Sequence, residues 1–260
     1  MVWRRLGGMA LAFVGSLALI ACGDDRFPDY SYKMTVYAGG KAFSTVRRVE
    51  VEEVTSIVDS GGSTVKRRVE GEAVILDLAG GRTVYALLSR PDNADYAQFV
   101  AGDALAPAIP KKPALSDVDQ AIKDYKDDNS RTQDSFGSAA EGLQAMVKVV
   151  GPRDLPRTVP NRDLYRGPRD IQLWPMFVTF GDPKDPKTVR EVTPESIGVK
   201  RITIEITDEP VTTGIEARLA WWSTSQGQRF DGTSEITQDM TTSDIRNWLT
   251  GGQFSTGVTK

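Results

Sequence analysis

The sequence predicts an α+β fold that is β-rich and mainly antiparallel, with two or three helices. Gly-Gly pairs at 39–40, 61–62 and 80–81 each separate two β-prone runs in the first third of the chain. Apolar residues at helical spacing appear only after these runs, and an alternating run, VKRITIEIT, returns at 199–207. Because strands and helices are grouped rather than interleaved, this order favours α+β over α/β.

The first strands are predicted by alternation. In the run SYKMTVYA, Tyr32, Met34 and Val36 lie on one face, as in a half-buried strand. Val49 and Val51 alternate with charged residues in the next run. The Gly-Gly pairs predict hairpin turns, because glycine tolerates the positive φ that tight turns require.

Two helices are predicted in the middle of the chain. A proline-rich stretch at 104–115 favours an extended connector, where the chain can be subdivided. Ser116 and Ser138 each precede an acidic residue by three positions, a variant of the capping box at a helix start. The second helix is expected to bury Leu143, Met146, Val147 and Val150.

The last third mixes irregular segments with strands. Its first part, 151–170, is rich in Pro and Arg and is predicted to be irregular. The run at 172–180 is strand-like, although Pro175 indicates an edge or a bulge. The run GIEARLAWW fits either a helix or a strand. TTSDIRNWL predicts a last capped helix, after which GGQFSTGVTK is expected to fray.

The N-terminus has the pattern of a secretory leader. Two arginines precede an uncharged apolar run of 16 residues, and Cys22, the only cysteine, directly follows this run. The sequence LIAC resembles the lipobox of bacterial lipoproteins; the alternative is an ordinary cleaved leader with an incidental cysteine. The predicted organisation is a lipoprotein signal peptide at 1–21, a tether at 22–31 and one β-rich domain at 32–260.

The lipobox resemblance implies a membrane partner. In that family the cysteine carries fatty acyl chains such as palmitate, and more than one chain makes the anchoring stable. We therefore expect lipidation of Cys22 and a location in the bacterial cell envelope, facing the periplasm. Gly23 after the cysteine favours the outer membrane over the inner one, whereas Asp24 and Asp25 oppose this assignment.

Composition excludes several kinds of chemistry. The chain has no histidine, which excludes Ser-His-Asp and Cys-His sites and the usual zinc sites. Without the leader, 30 basic residues remain against 35 acidic ones, so nucleic acid is not an expected partner. No metal site is predicted, because the Asp-Pro turns that could supply calcium oxygens show no EF-hand-like spacing. No cofactor site is predicted either, because neither a Walker loop nor a dinucleotide fingerprint occurs.

Two groups of residues are candidates for binding. Guanidinium groups in the 151–170 segment match phosphate and carboxylate groups, although neighbouring aspartates also allow local ion pairs in a solvated loop. Tryptophans, Trp174 and Trp248 among them, can line a sugar platform or a protein interface, or simply close a core. The candidate binding residues are Arg153, Arg157, Arg162, Arg166, Arg169, Trp221 and Trp222.

Carboxylates near strand ends allow an alternative, a carboxylate-dependent envelope hydrolase acting on glycan. A suitably spaced pair across a cleft would act as in glycosidases. The competing interpretation is that these residues simply form turns and strand ends. They are Asp182, Asp185, Asp208 and Glu209.

Several blocks, YKMTVYA, VRRVEV, GEAVILDL and DPKTVREVTPESIGVKRITIEITDEPVTTGIEARLAWW, resemble an uncharacterised family of proteobacterial proteins, often predicted lipoproteins. The resemblance covers 32–90 and 172–222 and implies a shared fold and no particular chemistry. The sequence therefore predicts a lipid-anchored envelope lipoprotein that binds or scaffolds a protein or glycan partner without catalysis.

Overall fold

The computed structural model describes residues 26–55, 63–108, 133–160, 170–231 and 244–257. This part of the chain is β-rich α+β, as predicted, and every strand pairing in it is antiparallel. Its two α-helices are α1 (Tyr96–Leu105) and α2 (Gln133–Met146). Its strands are β1 (Tyr30–Ala38), β2 (Lys41–Thr55), β3 (Ser63–Glu70), β4 (Val74–Asp77), β5 (Thr83–Ala86), β6 (Arg153–Asp154), β7 (Thr158–Pro160), β8 (Asp170–Gln172), β9 (Phe177–Phe180), β10 (Val189–Glu191) and β11 (Val199–Thr207).

These strands form three sheets. The first has the order β3-β2-β1-β11-β6, the second β10-β9-β5-β4, and β7 pairs with β8 in the third. The chain turns from β1 into β2 at Gly39 and Gly40, with φ of 56° and 76°. A second glycine turn, at Gly80 and Gly81, joins β4 to β5. Both hairpins confirm the prediction from the Gly-Gly pairs; the pair at 61–62 lies outside the described residues.

The main core lies on one face of the five-stranded sheet. Tyr32, Met34 and Val36 are fully buried there, as their alternation predicts. Helix α1, which the sequence patterns did not predict, packs on the same core, and the Tyr32 hydroxyl donates to the carbonyl of Ala97 at 2.7 Å. Leu143 of α2 joins this core as predicted, together with Met146.

A second core lies on the other face of the four-stranded sheet. Along β5, Val84 and Ala86 belong to the main core, whereas Tyr85 packs into the second one. The second core is closed by short 3₁₀ turns of the C-terminal region, and Phe254 is fully buried in it. The prediction that the segment after residue 250 frays is therefore wrong up to residue 257.

Five further expectations about local structure need correction. The run at 172–180 is not one strand: β8 ends at Gln172 and β9 begins at Phe177, with Pro175, which cannot donate a ladder hydrogen bond, in the break. The run at 214–222 is neither α-helix nor strand, and the predicted final helix is only a 3₁₀ turn at Ile245–Asn247. The predicted irregular segment contains β6 and β7. Val150 is 84% exposed, because α2 ends at Met146 and the helical spacing stops there.

Some predictions fall outside the described residues. These are the leader, Cys22, the helix from Ser116 and most of the connector at 104–115. The first strand begins at Tyr30, two residues before the predicted domain start.

Glu72, just before β4, is hydrogen-bonded to the segment at Gly214 and Ile215. Its buried carboxylate accepts hydrogen bonds from the backbone amides of Gly214, at 2.9 Å, and Ile215, at 3.1 Å. Burial raises the pKa of this carboxyl above its ordinary value, and the two amide hydrogen bonds only partly oppose the effect. The carboxylate is thus held in place at an electrostatic cost.

This raised pKa predicts a pH dependence of stability. The contribution of Glu72 to the free energy of unfolding should be complete below the ordinary glutamate pKa of 4.5 and decline as pH rises through the higher folded-state pKa. The free energy of unfolding of the wild type minus that of Glu72→Gln should therefore become more positive as pH falls from 7 toward 4.5. Urea unfolding of both proteins across this range measures this value; a value that becomes more negative would contradict the assignment.

Candidate functional site

A groove beside Trp174 is lined by four separate segments of the chain and contains four charged side chains. Trp174 lies in the break between β8 and β9 that Pro175 imposes, and its indole N–H donates to the carbonyl of Leu155 at 3.0 Å. The groove has a volume of about 260 Å³. We call it the Trp174 groove; its lining includes Arg90, Arg157, Trp174, Glu191, Thr193 and Glu195.

Arg157 connects the aromatic ring to an acidic residue. Its guanidinium lies over the Trp174 ring, 5.6 Å from the centroid, and forms an ion pair with Glu195. The side chains of Arg157 and Glu195 are 48% and 59% exposed. An exposed pair of this kind is weak, because water and salt screen it. Arg157 is thus positioned by the ring while its carboxylate partner is exchangeable.

Arg90 supplies a second guanidinium in a more buried position. Its side chain is 6% exposed, forms an ion pair with Asp92 at 3.1 Å and donates to the backbone carbonyl of Gln172. The guanidinium carbon also lies 5.5 Å from the centroid of the Tyr96 ring. Arg90 therefore fixes the segment before Trp174 against α1, with its charge paired to Asp92.

Two carboxyl groups of the groove differ in their pKa. Partial desolvation raises the pKa of Glu191, whose side chain lies at the exposed end of β10. The pKa of Glu195 is lowered, first because its carboxylate accepts a hydrogen bond from its own backbone amide and then because of the Arg157 guanidinium. The pKa values of the two carboxyl groups are therefore moved in opposite directions.

The predicted arginines do not form one site. Arg157 lines the Trp174 groove, whereas Arg153 lines a different groove, beside α2. Arg162, Arg166 and Arg169 lie outside the described residues.

The two adjacent tryptophans pack into the second core. Trp221 is 9% exposed and donates its indole N–H to the carbonyl of Pro183 at 2.9 Å. Trp222 is partly buried and donates to the carbonyl of Gly251 at 3.0 Å. Consecutive 3₁₀ turns, rather than a strand, place both rings against this core. Their packing is structural, and their role in binding stays a prediction.

The carboxylates predicted for a hydrolase do not line the Trp174 groove. Asp182 and Asp185 accept hydrogen bonds from backbone amides within the turn between β9 and β10, and Glu209 forms an ion pair with Lys33. Asp208 is exposed and directly follows β11. The sequence did not identify Arg90, Glu191 and Glu195, and only the fold brings them together.

Comparisons of the chain with protein-family models, with curated proteins and with solved structures found no match. The resemblance to proteobacterial lipoproteins therefore stays a prediction. Within the ranges that the structure describes, no three acidic or cysteine side chains are grouped so that they could hold a metal ion. Over the same ranges, no helix is long and apolar enough to cross a membrane.

Proposed function

We propose that this protein is a lipid-anchored lipoprotein of the bacterial envelope that binds a carboxylate-bearing envelope polymer in the Trp174 groove without converting it. The leader and the LIAC sequence support the anchor, and the fold class is compatible with an exported domain held together by packing alone. The family proposed from the resemblance is that of the proteobacterial lipoproteins.

The observation that carries the binding role is the geometry of Arg157. A guanidinium fork that is stacked on an indole is preorganised for a planar anion. Its present partner, Glu195, is exposed and held by a screened ion pair, so an incoming carboxylate can replace it. Thr193 and Glu191 offer further polar contacts beside it.

The volume of the groove limits the size of the group that it can bind. Small-molecule sites usually enclose about 300–1,000 Å³. A groove of about 260 Å³ suits one residue or one ring of a longer chain. Peptidoglycan contains both sugar rings and peptide stems with free carboxylates, so it is the polymer that we would test first.

Replacement of Arg157 by Ala is expected to weaken sedimentation of the purified protein with peptidoglycan sacculi by about tenfold, since a charge-assisted hydrogen bond contributes about 1.5 kcal/mol or more. Arg218→Ala is the matched control. Arg218 is 49% exposed and forms an ion pair with Asp77, but it does not line the groove. Equal binding by both variants and the wild type would contradict the proposal.

Replacement of Glu195 by Gln is expected to act in the opposite direction. The change frees Arg157 from its internal carboxylate, so the ligand no longer has to displace it. Affinity for sacculi in the same assay should rise a few-fold. A loss of affinity would mean that Glu195 contacts the ligand directly and that the exchange mechanism is wrong.

Glu191 and Glu195 keep a glycan hydrolase as the second candidate. Both carboxyl groups line the Trp174 groove, and their pKa values are moved in opposite directions, as those of a catalytic acid and its partner are in glycosidases. This candidate requires the release of reducing ends from peptidoglycan by the wild type and its loss in Glu191→Gln. Release that is abolished by this change would overturn the non-catalytic proposal.

A further inference from the structure

Val150 is the most exposed large hydrophobic side chain of the described residues, at 84%. It follows α2 and precedes Gly151, whose φ of 77° turns the chain toward β6. Lys148 and Arg153 flank it, and all three line a groove of about 530 Å³. We call Lys148, Val150 and Arg153 the Val150 surface. An apolar side chain between two basic ones is the composition of a membrane-contacting surface.

The N-terminal segment enters the domain beside this surface. The side-chain amide of Gln144, which lines the same groove, donates to the backbone carbonyl of Arg26 at 3.4 Å. Phe27 packs against the main core, and the Asp29 carboxylate accepts from the backbone amide of Val51 at 2.9 Å. The entry point is therefore fixed relative to α2.

The length of the tether then limits where the membrane can lie. Cys22 precedes Arg26 by four residues, and four extended residues span at most about 14 Å. An acylated Cys22 places its lipid in the bilayer, so Arg26 is held within about 14 Å of the headgroups. Helix α2, whose Gln144 contacts Arg26, is held next to it. The Val150 surface lines the same groove as Gln144, the residue that contacts Arg26.

We propose that the Val150 surface rests on the anionic headgroups of the membrane that holds the protein, with Val150 inserted between them. This inference rests on the lipid anchoring in the proposed function. Lys148 and Arg153 attract acidic lipids, while Glu141 is the acidic residue that lines the same groove. The contact fixes the orientation of the domain, so the tether and this surface together act as two points of attachment.

The test uses a fluorophore on the lipidated full-length protein. Since Cys22 is the only cysteine and its thiol is acylated, Val150→Cys provides one reactive thiol for labelling. Lys184→Cys, in the exposed turn between β9 and β10, is the control position. Both proteins are placed in vesicles of phosphatidylethanolamine and phosphatidylglycerol that contain a headgroup-attached quencher.

The expected result is strong quenching at position 150 and little at position 184. Adding Lys148→Glu and Arg153→Glu should lower the quenching at 150 at least about twofold, because each basic residue near an acidic surface strengthens the attraction. Equal quenching at both positions would overturn the proposal. Shielding of position 150 from both lipid and aqueous quenchers would also overturn it, because a protein segment would then cover the surface.

Failure of this inference can be told apart from failure of the anchor. Mass spectrometry of the vesicle-bound protein reports whether Cys22 is acylated. An acylated protein with an unquenched label at position 150 contradicts only the orientation. An unacylated, unbound protein contradicts the proposed anchoring itself, and with it the orientation.

Discussion

Phe254→Ala is expected to lower the free energy of unfolding by about 3–5 kcal/mol, the usual cost of removing a buried phenylalanine. Phe254 is fully buried, and its ring centroid lies within 6 Å of those of Tyr85, Phe180, Trp221 and Phe230. The cavity would open at the centre of this cluster. Urea unfolding, followed by tryptophan fluorescence, measures the change.

Phe99→Ala is the matched control for this prediction. Phe99 is 44% exposed, and its ring packs mainly under the Arg67 guanidinium, 5.1 Å away. The same change of side chain should cost less than about 1 kcal/mol there. Equal losses at the two positions would mean that the C-terminal segment does not complete the second core.

Gly71→Ala is the second change for which we expect a large effect, a loss of about 2–5 kcal/mol in the free energy of unfolding. Gly71 has a φ of 146°, and a Cβ there would lie 2.8 Å from the Cγ of Arg47 and 3.1 Å from its Cα. Arg47 is fully buried under this glycine, with its Nε donating to the Glu72 carbonyl at 3.0 Å. Neither the backbone nor the packed side chain can give way easily.

Gly80→Ala separates the cost of a positive φ from the cost of the steric clash with Arg47. Gly80 also has a positive φ, 79°, but a Cβ there would meet nothing within 4 Å. Only the backbone cost, about 1–2 kcal/mol, should remain. Thermal unfolding of Gly71→Ala and Gly80→Ala compares the two losses of stability. Equal losses would mean that the contact with Arg47 is unimportant.

The sequence was sufficient for the local parts of the fold. The alternation of Tyr32, Met34 and Val36 predicts β1 because side chains of a strand alternate between its faces. The Gly-Gly pairs predict turns because the conformation depends on the glycines themselves. Arg47 shows the limit: it lies in phase with Val49 and Val51, yet its charge argued against the buried position that it occupies.

The parts that were missed depend on distant contacts. Phe254 stands in a polar, glycine-rich stretch, and its burial comes from β5, β9 and the tryptophan turns. Val150 continues the apolar spacing of α2, but the helix ends first, and no local pattern marks that end. Composition therefore suggested a fraying tail and a longer buried helix face.

The candidate site was predicted only in part for the same reason. The sequence identified Arg157 by its residue type and Trp174 as an aromatic candidate. Glu195, the ion-pair partner of Arg157, lies 38 residues further along the chain and belongs to a 3₁₀ turn before β11. Nothing in either segment indicates the other, so only the folded chain defines the groove.

Photo-crosslinking in intact cells tests the proposed binding role most directly. A photoreactive amino acid replaces Thr193, which is exposed and lines the Trp174 groove, in the natively anchored protein, and a second protein carries it at Lys184. We expect one dominant envelope adduct from position 193 that is lost with Arg157→Ala, and none from position 184. The same adducts from both positions, or an adduct from position 193 that Arg157→Ala leaves unchanged, would contradict a binding role for this groove.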